Sequence, residues 1–386
     1  IRWNRSVRTF GLQWKINPFD GISNIHQLYP NMCNKYDAPY SMRKRQLAQQ
    51  LGELTQIWNV GITQRRFAHS QGIYNWRDSQ CNSASLGIKS GAISKIVDNI
   101  LETNRNYSSE NLFFSEKDNR KRKRNNPQSQ CNTIETNPAK KFKNASKTTK
   151  TNSQITRQRK AAKCFYLDFE TVQTCFFNDK CPNSNLVFMI GLGEEDSSYN
   201  WKYIKWDINS LDGDGDGICE NLKYKELDMI IEMLSYVCES ANPVVFHWSQ
   251  AELVILKSLN SKNGNILQPY LDDIKFVDLY KVFLDGPGNT GLPIIIPGAL
   301  SFGLKDIATA MYNNRLIQTK WECGNSVSNG IEALFAGVAL FDTSDYSPKD
   351  KKTILSDIAK YNEVDCKVLM EIYKWLLATY PSIKFT

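Results

Sequence analysis

Asp168 and Glu170 stand two residues apart in KCFYLDFETV, residues 163–172, behind an aromatic and aliphatic run from Cys164 to Leu167. Successive side chains on a strand alternate faces, so the two carboxylates project from one side. Side by side they repel, and burying either costs free energy unless something positive sits between them. A divalent metal ion meets that need. Two acids facing solvent at a strand end satisfy the same pattern without one. The stretch alone leaves both readings open.

Three other groups carry chemistry-bearing residues. In FHWSQAE, residues 246–252, a short apolar strand ends at His247-Trp248 and a helix starts near Glu252. A carboxylate in that first helical turn can point back to the sheet edge, although the helix dipole favours an acid there in any case. In YNEVD, residues 361–365, Tyr361 and Asp365 are four apart and share one helix face, with Asp357 a further turn away. Asp278 is flanked by Val277 and Leu279 in the strand-like FVDLY, 276–280. A buried acid needs a partner, so Asp278 is either a metal ligand or is held by backbone donors.

Positioning these groups takes a folded domain over 163–386. The opening strand is followed by LVFMIGLG (186–193) and YNWKYIKW (199–206), and the short connections favour an antiparallel three-stranded ribbon. Helical spacing follows from Lys223 to Cys238, then a short buried strand at Pro243 to Phe246 and a helix from Glu252 to Leu259. FVDLY, a helical stretch after Ser301 and a long helix from Lys349 to Leu377 complete the order. The expected class is α/β, with three antiparallel strands and then alternating helices and strands in a mixed sheet, a ribonuclease H-like order. Periodicity leaves other α+β arrangements open.

Upstream, residues 1–42 hold aromatics but little periodicity, and Pro18, Pro30 and Pro39 interrupt any long element; they read as an extended connector. The chain begins at Ile1, which fits a piece of a longer protein. Residues 43–106 read as short helices: Leu47, Leu51, Leu54 and Trp58 recur at helical spacing, Asn59-Val60-Gly61-Ile62 forms a hairpin, and Ile88 to Leu101 is a further amphipathic helix. The pattern is helix-hairpin-helix-like, in which backbone N–H groups at the hairpin hold phosphates, with Gly61, Arg65 and Arg66 suited to that role. An ordinary αα-hairpin has the same glycines for its turn alone.

Residues 107–162 read as a basic linker. Over 115–163, fifteen Lys/Arg face three acids, a local balance of +12 in a chain whose net charge is +8, so the remainder is mildly acidic. Its clusters Lys121-Arg122-Lys123-Arg124 and KKFK (140–143) could grip nucleic acid, signal nuclear import of an intracellular protein, or belong to a solvated tether. The ten cysteines include no CxxC pair and fit reduced thiols. No apolar run spans a membrane and no leader is visible. Asp212-Gly-Asp-Gly-Asp-Gly217 imitates a calcium loop, but Lys223 stands where the closing acid belongs, so a surface loop is the simpler reading.

Together, Asp168 and Glu170, an acid after the strand–helix crossing and YxxxD in the last helix resemble the DEDD family of 3′–5′ exonucleases, in its tyrosine subclass. The histidine subclass places histidine five before the last aspartate, where this chain has Lys360, and its only histidines are His26, His69 and His247. SFGLKDIA (301–308), FVDLYKVF (276–283), HWSQAE (247–252) and YNEVDCKVLMEIYKWL (361–376) are similar to the YprB-like group of predicted RecB-family nucleases with a ribonuclease H-like C-terminal domain. LYPNM (28–32), ELTQIWNVGI (53–62) and GIYNW (72–76) extend the resemblance upstream, and nuclease-like proteins of large DNA viruses look similar.

The resemblance implies a metal-dependent nuclease acting on DNA first or RNA second, with a place in DNA repair or replication. Asp168, Glu170, Glu252 and Asp365 would hold two divalent ions, Mg2+ or Mn2+, with Asp278 as a further candidate ligand, and Tyr361 would orient the attacking water. It also implies an upstream PD-(D/E)XK nuclease or helicase region as partner. The family's second motif normally carries aspartate, so Glu252 is a departure. The alternative is a catalytically weak nucleic-acid-binding module serving that upstream region.

Overall fold

The computed structural model describes residues 29–34, 40–121, 162–173, 185–208, 218–287, 290–321 and 347–383, with scattered positions besides. Five strands form one mixed sheet: β1 (Cys164–Gln173), β2 (Asn185–Glu195), β3 (Trp201–Asp207), β4 (Val244–His247) and β5 (Lys275–Asp278). Their spatial order is β3-β2-β1-β4-β5. β1, β2 and β3 pair antiparallel, whereas β4 and β5 run parallel to β1. The antiparallel ribbon follows from its short connections, and the parallel pair from the helices that cross between strands.

Helices cover both faces. Phe165, Leu167 and Phe169 of β1 share a core with Met229, Ile230, Met233 and Val237 of a helix at Ile218–Cys238. Tyr166 and Phe246 share the other core with Cys366, Leu369 and Ile372 of the long helix Pro348–Thr379. Each fully buried large side chain contributes about 1.5–3 kcal/mol, so the central strand is held from both sides. The long helix starts where its sequence says it should. Ser347 Oγ accepts from the Asp350 N–H at 3.3 Å, the Asp350 carboxylate accepts from the Ser347 N–H at 3.2 Å, and Pro348 fills the first turn.

The upstream region forms α1 (Ser41–Leu51), a 3-10 turn (Leu54–Gln56), α2 (Ile62–Ser70) and α3 (Ala92–Lys121). The helical periodicity that reaches Trp58 does not make one helix. The chain leaves α1 through Gly52, which adopts φ +61° and donates its N–H to the Gln49 carbonyl. α3 runs well past Leu101, through Lys121, into the stretch expected to be linker. Arg122, Lys123 and Arg124, the cluster at 140–143 and the loop at 212–217 lie outside the described residues.

Two of the expected phosphate contacts are corrected. Arg65 is buried, and its guanidinium donates to Glu53 Oε1 at 3.0 Å and to the Pro30 carbonyl at 3.1 Å. It is a core cation. The Gly61 N–H donates to the Gln64 side chain at 3.1 Å, the Val60 N–H to Ile57 and the Trp58 N–H to Leu300 at 2.8 Å, so these hairpin donors are already engaged. Arg66 is exposed.

The helical region is fastened to the sheet domain. Trp58 donates its indole N–H to the Tyr280 hydroxyl at 3.2 Å and packs edge-on against Phe302. Asn104 of α3 donates to the Ala299 carbonyl at 2.9 Å and accepts from the Gly298 N–H at 2.8 Å.

Candidate metal centre

Asp168 and Glu170 lie inside β1, not at its end, on the face turned toward the long helix, which is labelled α9 below. The remaining helices are α4 (Ile218–Cys238), α5 (Ala251–Lys262), α6 (Gln268–Asp273), α7 (Leu279–Asp285), α8 (Leu304–Asn313) and α9 (Pro348–Thr379). The β1–β2 register slips directly after Glu170: Glu170 faces Met189, and Thr171 faces Val187. Phe188 is thereby the extra residue of a bulge, a device that re-aims side chains beside sites. The Val187 N–H beside the bulge donates to the buried Glu226 carboxylate at 2.7 Å, which keeps the irregular pairing satisfied.

α9 brings the second half. Its Asp365 joins Asp168 and Glu170 so that one carboxylate oxygen from each lies within 4.8 Å of the others. Glu170 and Asp365 are buried, and Asp168 is half-buried. Tyr361, one turn before Asp365 and also buried, donates its hydroxyl to that carboxylate. Between these two positions Asn362, fully buried, donates its amide to Asp168 Oδ2 at 2.8 Å and to Glu170 Oε1 at 3.3 Å. Its own amide oxygen accepts from the Tyr203 hydroxyl at 2.9 Å. Gly191, the β2 partner of Asp168, makes room for this: a Cβ there would overlap Asn362 Oδ1.

The electrostatics follow from the crowding. Desolvation, then the neighbouring Asp365, Glu170 and Glu252, hold the Asp168 carboxyl well above the usual carboxylate range. Glu170 is pushed up to about 8 by burial and Asp365, against the opposing Asn362 amide and Lys305. Asp365 is pushed up to about 6 by burial, with Lys305, Tyr361 and Trp321 favouring its ionised form. Burial and the nearby acids also raise Tyr361, which therefore keeps its proton and acts as a hydrogen-bond donor. Three hard oxygen donors that resist sharing one small volume as anions form a set that suits a divalent ion. Asp168, Glu170 and Asp365 can hold a metal ion.

Glu252 stands beside this triad. It is buried in the first turn of α5, close enough to raise Asp168 and Asp365, and its Oε2 accepts no hydrogen bond. His247 lies in contact, its Nδ1 3.6 Å from Oε2 and sharing a 2.6 Å hydrogen bond with the Ser249 carbonyl. An acid with an unsatisfied buried oxygen at the edge of an acidic cluster fits a ligand to an ion bound there.

Asp278 has a supporting role through one oxygen, while its Oδ2, like Glu252 Oε2, is buried and accepts no hydrogen bond. Its Oδ1 accepts from the Ser249 N–H at 2.9 Å and from the Tyr280 N–H at 3.0 Å, capping α7. Ser249 has φ +71°, a left-handed conformation costly for a residue with a Cβ, and it lies in the turn that delivers Glu252. Asp278 thus braces that turn. Asp357 is half-buried and pairs with the exposed Lys360 at 3.3 Å.

Four contributors lie outside the sequence-read set: Asn362, Gly191, Trp321 and Lys305. Asn362 sits inside YNEVD, but only its neighbours share a helix face with each other. A glycine within the apolar run of β2 signals close approach of another group, without saying which. Among the described residues no helix is long and apolar enough to cross a membrane. In comparisons with known proteins, no family model, no curated protein and no solved structure matches this chain.

Proposed function

We propose that the chain is a metal-dependent nuclease of the DEDD type, tyrosine subclass, hydrolysing phosphodiester bonds of DNA or RNA from the 3′ end on a ribonuclease H-like domain. The observation that carries this reading is the convergence of Asp168 and Glu170 of β1 with Asp365 of α9, oxygens within 4.8 Å, with Glu252 alongside. The strand order β3-β2-β1-β4-β5, antiparallel in its first three members, supports the fold reading.

Bound divalent ions, Mg2+ or Mn2+, would supply Lewis-acid polarisation of the phosphodiester and a more acidic water. Asp168, Glu170 and Asp365 would hold them, with Glu252 completing the ligand set on the α5 side. Asn362 holds the first two carboxylates at a fixed spacing, so the site is organised before loading. Tyr361, protonated and anchored on Asp365, can orient a nucleophile by hydrogen bonding but cannot serve as its base. The basic cluster from Lys121 to Arg124 would add affinity independent of sequence.

The test uses purified full chain with end-labelled single-stranded DNA and RNA in Mg2+ or Mn2+. Degradation from the 3′ end that Asp168→Asn abolishes, with oligonucleotide binding retained, supports the proposal. Absence of metal-dependent hydrolysis, or full activity in Asp168→Asn, overturns it in favour of a binding module.

A further inference from the structure

Lys305, the second residue of α8, has no part in the ligand set, yet it faces the site. Its Nζ lies 4.3 Å from the centre of the Tyr361 ring and 5.2 Å from that of Trp321. The Tyr361 hydroxyl donates to the Asp365 carboxylate, and the Trp321 indole lies near it. The ammonium is therefore held over the aromatic wall beside the acids, half-buried, by cation–π contact. Its charge favours ionisation of Asp168, Glu170 and Asp365 alike.

The segment that delivers Lys305 is clamped. Gly298 and Ala299 are tied to Asn104, Leu300 accepts from the Trp58 N–H, and the Phe302 carbonyl accepts from the Trp248 indole at 3.1 Å. Ser301 Oγ donates to Asp306 Oδ2 at the start of α8. Three of these hydrogen bonds come from Trp58 and Asn104 of the helical region, which thus fixes the approach of α8 to the sheet. A lysine on such a support is placed, whereas a surface lysine on a free stem is not.

Charge balance says what the ammonium is for. Four ionised carboxylates and two divalent ions cancel, so a loaded site is close to neutral without Lys305. The phosphodiester that enters is an anion, and its charge increases toward the transition state. We propose that Lys305 is the phosphate-contacting residue of this site, its ammonium meeting a non-bridging oxygen of the bound phosphate beside the metal ions. This rests on the nuclease reading and adds to it a residue that binds substrate and no metal.

The experiment measures two affinities on the full chain: Mn2+ by electron paramagnetic resonance, and thymidine 5′-monophosphate by calorimetry in saturating Mn2+. In Lys305→Met, monophosphate affinity falls on the order of 10–100-fold, as for loss of a hydrogen bond to a charged group, while Mn2+ binds as tightly or more tightly. Lys305→Arg recovers most of the monophosphate affinity. Lys305→Gln replaces the methionine variant if that protein fails to fold. Unchanged monophosphate affinity with tightened Mn2+ binding would make Lys305 a counter-charge to the empty acids only, and overturns the proposal. Parallel loss of Mn2+ affinity overturns it too, by making the effect structural. Wild-type protein that binds no Mn2+ instead overturns the nuclease reading, and this inference with it.

Discussion

Glu53 and Glu170 are both buried glutamates, one in the helical region and one in the sheet, and they differ in who answers their charge. Glu53 Oε1 accepts from Arg65 at 3.0 Å, and Oε2 accepts from the Thr55 N–H at 2.7 Å and from its hydroxyl. Burial still raises its carboxyl, opposed by Thr55 and Arg65. The chain provides a contacting cation of its own, and the pair locks α2 to the segment at Tyr29 and Pro30. Glu170 has the Asn362 amide and, at longer range, Lys305, against Asp168 and Asp365 close by. A buried acid with its cation inside the chain is structural. A buried cluster short of positive charge can hold an ion that arrives.

The sharpest break of this comparison is to neutralise one acid on each side. Glu170→Gln should reduce metal-dependent hydrolysis on the order of a thousandfold, since metal-mediated charge stabilisation is worth several kcal/mol. The metal-free variant should melt no lower than wild type at pH 8, because a costly charge has been removed. Turnover assays and calorimetric melting read the two effects. If Glu170→Gln melts lower without metal, the cluster is structural like Glu53.

On the other side, Arg65→Met leaves Glu53 buried without its cation. A loss of about 3–5 kcal/mol is expected, as for broken buried pairs, read from denaturant unfolding. Mn2+ affinity of the folded fraction should be unchanged. A stability change within error would mean that the pair is not what holds the helical region together.

The pH response should separate the regions next. Folded-state pKa values of Asp168, Glu170 and Asp365 lie above their ordinary range, with Asp365 at about 6 and Glu170 at about 8. The metal-free native state therefore binds more protons than the unfolded chain. That stabilisation is present below the unfolded pKa values and is lost as pH rises through about 6 to 8. The melting temperature of metal-free protein should fall across this range, by about 2–4 °C for each kcal/mol. Saturating Mg2+ should restore it, most strongly at the alkaline end. A melting temperature indifferent to both pH and Mg2+ would refute the idea of an ion-seeking cluster.

Two smaller effects test the supports. Gly191→Ala forces Asn362 away from the acids and should cost about 1–3 kcal/mol of stability, together with weaker metal affinity in the same titration. Asp278→Ala removes a helix cap and the brace on Ser249. About 0.5–2 kcal/mol is expected, with Mn2+ affinity falling less than in Gly191→Ala. A larger fall in Asp278→Ala would make Asp278, through its unsatisfied Oδ2, a ligand as well as a brace.

Much of the site was legible locally. The two-residue spacing of Asp168 and Glu170 places them on one strand face, and the four-residue spacing of Tyr361 and Asp365 places them on one helix face. Glu252 was readable as an acid in a first helical turn, and the order of strands and helices followed from periodicity and connection length. Arg65 shows where such reading stops. Next to a hairpin glycine its charge reads as a phosphate contact, and only the burial of Glu53 beneath it turns it inward.

By itself the sequence determined the faces: which side chains share one side of β1, and which share one turn of α9. Only the tertiary structure decided that those faces meet. Asn362 and Asp168 are 194 residues apart, and their contact depends on a bulge after Glu170 and a glycine opposite Asp168. Only the fold, likewise, set Glu252 beside the triad, gave Asp278 to backbone donors and laid Lys305 against Tyr361. The reason is physical. Local spacing is dictated by 3.6-residue and two-residue repeats, whereas the meeting of elements depends on register and packing summed over the whole core.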